Sequence, residues 1–465
     1  MRPLATWIRA LPERHGKRTL VVLGLLVALG LGLRAYAVVD PAAEPADDSR
    51  AYFGLAKALY EEGSFGGSEF RDSSDWSPGA PLLYAASFYA TGGAREGTAR
   101  IVEALLGAAA ILVVFALAER LARAWGGVMT SARQVGRSHH TGLLAAFAVA
   151  VYPPFIHSTT ELMSEPPAIL TLPAAVLAFL WASERERLAA WLVPGLLFGL
   201  TAMFRPEYLL VGGAFAVLAA LRLFNARGWR PALGGAALFL AALVVLIVPW
   251  TVRNYVVLDR VVPISTGGGK ALYVGTFLPA DGEYQRVKAV LAKRYLGRDL
   301  EPNSAALDKV DPTPLFDRVA SRYPELTRDA ALGKIGKENF STFFGEDPLG
   351  YAAMTVRKVG RMWSSGVGEA MSSGAGRAVQ ILLVALGVAG FALLGVRRRW
   401  WELVALATPI LLVTAVGAVS LAAPRRNEVL MTLVFPLVAL TLSSAFAAIS
   451  SGREWSPEQA SSRPN

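Results

Sequence analysis

Carboxylates and guanidinium groups gather at the ends of long apolar runs in this chain. Asp47 and Asp48 precede a short amphipathic stretch. Glu161 and Glu165 lie in Thr159-Thr160-Glu161-Leu162-Met163-Ser164-Glu165-Pro166-Pro167, Arg205-Pro206-Glu207 and Arg425-Arg426-Asn427-Glu428 mark two further turns, and Arg253-Asn254 follows another run. Paired carboxylates can supply a base that deprotonates a hydroxyl and a partner that orients it. Arg is suited to bidentate phosphate binding. A departing phosphate has a second pKa of about 6, so one base plus several cations can suffice without a paired acid. These residue types suit a lipid-phosphate substrate.

The same residues have structural uses. Asp48 or Ser49 can cap the helix that follows. Glu165 stands before Pro166-Pro167, in a helical first turn where the dipole favours a carboxylate. Terminal Arg residues commonly anchor in headgroups. Other enzyme signatures are missing: there is no HExxH, GxSxG or GxxxxGK[ST]. Gly267-Gly268-Gly269-Lys270 reads as a Gly-rich turn rather than a nucleotide loop, and the four His have no metal-ligand spacing. With Cys at 0, disulfides, thiolate nucleophiles, iron–sulfur clusters and Cys-based zinc sites are excluded.

The elements that must position these groups are membrane spans. The 465 residues are 54% hydrophobic and 18% charged, more apolar than one water-soluble core requires. Apolar runs at Thr19–Val39, Ile101–Leu121, Gly142–Ile156, Pro166–Ala182, Ala189–Phe204, Tyr208–Leu223, Leu233–Trp250, Val379–Val396, Leu403–Leu421 and Val429–Ile449 predict about ten transmembrane helices. Arg2, Arg9, Arg14, Lys17 and Arg18 before the first run place the N-terminus in the cytoplasm. Alternation then puts every short Arg-rich loop inside, together with the C-terminus. The net charge of +10 is thereby assigned to membrane orientation, with no nucleic-acid partner.

Two long segments fall outside, 40–100 and 251–378. The first predicts interfacial helices, one carrying Tyr52, Leu55, Ala56, Leu59 and Tyr60 at helical spacing and a shorter one at Pro81–Ala90. The second opens with a strand-like run, Val256–Ile264, then a Gly turn, an apolar patch at Leu272–Phe277 and charged helical sequence to Arg361. This predicts a small extracytoplasmic α/β domain. The resulting division is 1–250 as the N-terminal transmembrane catalytic module, 251–378 as the extracytoplasmic domain, 379–449 as C-terminal transmembrane helices and 450–465 as a disordered cytoplasmic tail.

The order of motifs resembles a known family. Arg34 late in the first span, Asp48-Ser49-Arg50-Ala51-Tyr52, Leu55-Ala56, Gly63-Ser64-Phe65 and Trp76-Ser77-Pro78-Gly79-Ala80-Pro81-Leu82 resemble the first outer loop of GT-C fold glycosyltransferases. These are the membrane enzymes related to dolichyl-phosphate-mannose protein mannosyltransferases (glycosyltransferase family 39) and lipid A aminoarabinose transferases. Leu162-Met163-Ser164-Glu165-Pro166 is similar to their second acidic motif. Pro249-Trp250-Thr251-Val252-Arg253-Asn254-Tyr255 with Pro263-Ile264-Ser265-Thr266-Gly267-Gly268 is similar to the exit from their seventh span.

The resemblance implies a membrane all-α, GT-C-like bundle in the plasma membrane. It also implies an inverting transfer of sugar from a polyprenyl-phosphate-linked donor to a glycan, lipid or protein acceptor on the extracytoplasmic side of the bilayer. Asp48 maps onto the family's general base, with Asp47 a close rival; Glu165 maps onto a position where many members have Asp. On this reading Arg253, Lys270, Arg425 and Arg426 hold the departing phosphate. Glu161, Glu165 and Glu207 bind sugar hydroxyls, orient the acceptor or hold a divalent ion, and Arg205, Asn254 and Tyr273 complete the substrate set. The resemblance leaves a divalent metal ion open and implies no other cofactor. A polytopic transporter or lipid flippase is the rival class, predicting midplane charges and broken helices in matching halves; a noncatalytic scaffold is a third.

Overall fold

The computed structural model describes residues 16–39, 47–66, 73–126 and 132–453, and among them there are helices and no strand. In chain order the helices are α1 (Lys17–Val39), α2 (Asp47–Glu61), α3 (Gly79–Thr91), α4 (Glu96–Gly126), α5 (Ala132–Val151), α6 (Pro153–His157) and α7 (Glu165–Ala182). There follow α8 (Leu192–Phe204), α9 (Tyr208–Arg227), α10 (Trp229–Val244), α11 (Ile247–Leu258), α12 (Gly268–Thr276), α13 (Tyr284–Leu296), α14 (Ala305–Asp308) and α15 (Thr313–Ala320). The last are α16 (Arg328–Glu346), α17 (Pro348–Ser364), α18 (Glu369–Ser372), α19 (Gly374–Val396), α20 (Trp400–Val419) and α21 (Pro424–Arg453).

Among the described residues seven helices, α1, α4, α7, α9, α19, α20 and α21, are long and apolar enough to cross a membrane. Two bent pairs raise the number to nine: α5 with the segment from Pro153, bent by 53°, and α10 with α11, bent by 47°. The remaining predicted run is the shorter apolar helix Leu188–Phe204. The protein is an integral, multi-pass membrane protein. Its bundle packs α4 against α5 and α7, with α21 laid across all three. Close approach is bought with small side chains: a Cβ on Gly195 or Gly199 of α8 would strike the backbone of Phe239 or Leu243 on α10.

The long segment after α11 departs from expectation. The β-branched run Val256–Ile264 is not a strand: α11 continues through Leu258, Asp259 ends it in the left-handed conformation, and the chain then turns back. The apolar patch Leu272–Phe277 is helix α12, entered through Gly267 at φ +95°. The expected α/β domain is therefore a helical cap. Its own small core contains Tyr273, Val287, Leu291, Leu315, Phe316, Leu332 and Ile335. Within it α12 crosses α16 so closely that a Cβ on Gly269 would collide with the Asp329 backbone.

Two helices stand before α4 where the sequence led us to expect them, α2 and α3, packed on one another. At the other end, helix α21 runs through Arg453 into the segment read as a disordered tail; residues 454–465 lie outside those described.

Candidate active site

The acidic groups are placed by helix ends. Residue Glu165 opens α7, where Pro166 and Pro167 occupy positions whose N–H groups would have no helical partner. Arg205 caps α8 in an extended conformation, φ −139° and ψ 107°, because the residue before a proline is disfavoured in the helical region. Helix α21 begins at Pro424, which points Arg425 and Arg426 out of its first turn. A cation there faces the positive end of the helix dipole, so these residues need carboxylates opposite them.

Those carboxylates are present. Arg425 Nη1 donates to Asp48 Oδ2 at 2.6 Å, and its Nε lies 3.9 Å from Glu165 Oε1. Arg205 donates through Nη1 to Glu165, and through Nε and Nη2 to Glu207 Oε1 at 3.0 and 2.8 Å. Ser164 Oγ donates to Glu165 Oε2 at 3.2 Å. The hydroxyl of Ser49, next to Asp48, donates to Glu161 Oε2 at 3.1 Å. Asp48, Glu165, Glu207, Arg205 and Arg425 thus form one linked network drawn from α2, α7, the α8–α9 turn and α21. Arg426 faces Glu207 electrostatically.

Lys270 approaches from the cap. Its ammonium sits over the rings of Phe316 and Tyr284 at 5.1 and 5.3 Å and acts electrostatically on Asp48. A latch holds the cap there. Thr266 N–H donates to the Ser74 carbonyl at 2.6 Å, while the Thr266 hydroxyl and the Arg328 guanidinium both bind the Asp75 carboxylate.

Burial pushes the Asp48 carboxyl up, but the charge and hydrogen bond of Arg425, with Lys270 and Arg205 behind it, outweigh burial and hold it below the usual range. Burial likewise raises Glu207, and Arg205 and Arg426 bring it down to about 2. Burial lowers Lys270, partly offset by Asp48 and Asp75. Asp48 is therefore ionised at neutral pH, as a proton acceptor must be.

Several predicted residues have other partners. Arg253 donates to the Phe65 carbonyl at 2.6 Å and stacks over Trp250 at 5.0 Å. Asn254 is buried and donates to the carbonyls of Val262 and Ile264 at 2.9 and 3.2 Å, holding the chain reversal after α11. Tyr273 packs in the cap core against Phe277 and Phe316. Asp47 opens α2, and its side chain lies outside those described.

Three further polar groups, not among the predicted site residues, lie at or beside this network. Glu103, fully buried within α4, binds the Tyr84 hydroxyl, which also lies 3.0 Å from the Met163 carbonyl. Its signal was available: an acidic residue inside an apolar helix seldom lacks a task. Glu428, 1% exposed, acts electrostatically on Glu165 from the first turn of α21. Tyr52 is buried beside Ser164 and Ser77, edge-on to Trp76 at 5.4 Å.

Among the described residues no group of three or more His, Asp or Glu is arranged to hold a metal ion. Arg425 is bonded to Asp48, and Arg205 is shared by Glu165 and Glu207, with Arg426 and Lys270 also acting on the group, so cations are at hand for an anionic ligand.

Comparison with known proteins agrees with this architecture. Residues 75–252, from the loop before α3 into α11, match the family model of dolichyl-phosphate-mannose-protein mannosyltransferases. The archaeal oligosaccharyltransferase AglB from Archaeoglobus fulgidus, solved with an inhibitory peptide and a dolichol-phosphate, superposes with a TM-score of 0.55 at 14% identity, covering 97% of this chain. The chain spans about half of that protein, 52% of its length. ArnT from Cupriavidus metallidurans, solved bound to undecaprenyl phosphate, matches at 14% identity and a TM-score of 0.39 over 93% of this chain and 81% of its own. No curated protein sequence matches the chain. The protein is a multi-pass membrane protein of the GT-C fold. Within it, residues 75–252 are similar to the mannosyltransferase module and supply Glu161, Glu165, Arg205 and Glu207, while Asp48 and Arg425 come from outside the matched segment.

Proposed function

We propose that this protein is an inverting glycosyltransferase that moves a sugar from a polyprenyl-phosphate donor to an acceptor hydroxyl on the extracytoplasmic face, with both termini in the cytoplasm. The observation that carries the reading is the Asp48–Arg425 pair at 2.6 Å, with Arg425 also reaching toward Glu165. In the resting state Arg425 neutralises the base. A donor phosphate competes for that guanidinium, and its arrival frees Asp48 to accept a proton.

The acceptor oxygen attacks the anomeric carbon, the bond from that carbon to the phosphate oxygen breaks, and its electron pair leaves with the phosphate. Asp48 takes the acceptor proton. Arg425, Arg426 and Lys270 stabilise the departing phosphate, whose charge needs little protonation at neutral pH. Glu161 and Glu165, held by Ser49 and Arg205, receive sugar or acceptor hydroxyls. The prenyl chain lies in an apolar groove between α9 and α20, lined by Pro206, Leu209, Leu210, Gly213, Val217 and Leu412, with a volume of about 610 Å³. Its first residue, Pro206, lies between Arg205 and Glu207, so chain and head group meet at one place.

Intramembrane Arg34 and Glu103 and two broken spans are also features of transporters. Purified protein in liposomes separates the readings. With a panel of polyprenyl-phosphate sugars and membrane extract as acceptor source, a transferase releases free polyprenyl phosphate. A flippase moves the donor between leaflets and leaves it intact, and that result would overturn the proposal.

A further inference from the structure

The break between α5 and α6 has a specific repair. In a continuous helix the carbonyls of Val149 and Ala150 would accept hydrogen bonds from the N–H groups four residues on. Those residues are Pro153 and Pro154, which have none. Two adjacent carbonyls are thereby left without helical donors inside the bundle, where each unsatisfied group is costly. Arg34 of α1 supplies the missing donors: Nη2 to Val149 O at 3.2 Å and Nη1 to Ala150 O at 3.3 Å, with Nη1 also bonded to Gly30 O at 2.9 Å. The side chain is fully buried. Glycines clear its path. A Cβ on Gly107 would strike the guanidinium, and one on Gly30 would stand 3.3 Å from the Ala150 backbone.

Beyond this joint the chain bends by 53°. The bent segment carries His157 and leads directly to Glu161, bonded to Ser49, and to Ser164 and Glu165. The planar fork of Arg spans two neighbouring carbonyls at once, which fixes the direction in which the segment leaves α5.

We propose that Arg34 is a positioning residue: it replaces the two hydrogen bonds that Pro153 and Pro154 cannot make, and so aims the acidic segment 157–165 at Ser49, Arg205 and Arg425. The activity arm of its test rests on the glycosyltransferase reading; the geometric arm does not. Because the chain has 0 cysteines, a Ser49→Cys/Glu161→Cys pair joined by a short bis-methanethiosulfonate reagent reports the placement directly. With Arg34 present the pair cross-links; with Arg34→Met cross-linking is lost. In the cysteine-free chain Arg34→Met lowers kcat by roughly 100-fold or more, since a misplacement of about 1 Å already costs that much.

Arg34→Met/Pro153→Ala/Pro154→Ala returns the backbone donors and straightens the joint. It recovers thermal stability while cross-linking and kcat stay low. Cross-linking that persists in Arg34→Met, or that returns with stability in the triple variant, overturns the proposal. Loss of cross-linking in Arg34→Met, when even the wild type turns over no donor, upholds the positioning role and refutes the glycosyltransferase reading instead.

Discussion

Arg205 holds two carboxylates at once, and its removal has a calculable cost. Side-chain exposures are 10% for Arg205, 4% for Glu165 and 13% for Glu207, so solvent screens the triad only weakly. Deleting one partner of such a pair costs about 3–5 kcal/mol, because a buried charge is left uncompensated. The depressed acidity of Glu207 gives a similar figure. Its carboxyl is brought from 4.5 to about 2, and at about 1.36 kcal/mol per unit this is roughly 3 kcal/mol.

The sign follows from the direction. A carboxyl whose folded pKa is depressed stabilises fully above about 4.5 and loses that contribution as pH falls toward about 2. The assay is the unfolding free energy in detergent micelles at pH 7 and pH 3.5 for wild type, Arg205→Met and Arg205→Met/Glu165→Gln/Glu207→Gln. Arg205→Met loses about 3–5 kcal/mol at pH 7 and less at pH 3.5; neutralising both carboxylates recovers most of the loss. A cost under about 1 kcal/mol, typical of an exposed pair, or a triple variant no better than the single one, refutes this reasoning.

On the proposed reading, Arg425→Leu removes a cation from the departing phosphate and lowers kcat by roughly 100- to 1,000-fold; it also releases Asp48 toward its ordinary acidity, so the acid limb of the pH–rate profile moves up. An unmoved limb would show that Arg425 does not govern Asp48 in the working enzyme. Lys358, buried and donating to the carbonyls of Gly275 and Ser420 at 2.7 and 3.0 Å, joins the cap to the end of α20. Burial brings its ammonium down to about 8 from 10.5, so the folded state binds fewer protons than the unfolded chain between those values and stability rises with pH across them. The rise is absent in Lys358→Met, as unfolding measured from pH 7 to 11 will show. A Cβ on Gly213 meets open space, so Gly213→Phe fills the groove: KM rises for a long-chain polyprenyl donor and stays the same for a short-chain analogue, in initial-rate measurements with both.

Each of the ten apolar runs is helical, because hydropathy reports burial from water whatever the packing. The bends were not legible, since a hydropathy window averages over Pro153 and over the break after Val244. The run Val256–Ile264 misled because β-branched side chains favour strands only where a sheet receives them; here Val256 is 76% exposed on the flank of a helix. Arg205 and Arg425 were visible in the sequence as cations at the ends of apolar runs, and the structure gives both of them carboxylate partners. Their pairing was not visible: Asp48 and Arg425 are 377 residues apart, and only the bundle brings them together. Glu103 is an acidic residue inside the apolar run from Ile101, a signal the sequence carries but a hydropathy average outweighs.

The proposed chemistry requires Asp48 as the base. The most direct measurement is single-turnover release of polyprenyl phosphate by purified wild type, Asp48→Asn and Asp47→Asn in lipid, with donor and acceptor saturating. Release by wild type and Asp47→Asn, with Asp48→Asn slower by roughly 100- to 10,000-fold yet inserted and folded like wild type, is the predicted outcome. Near-normal release by Asp48→Asn would contradict it.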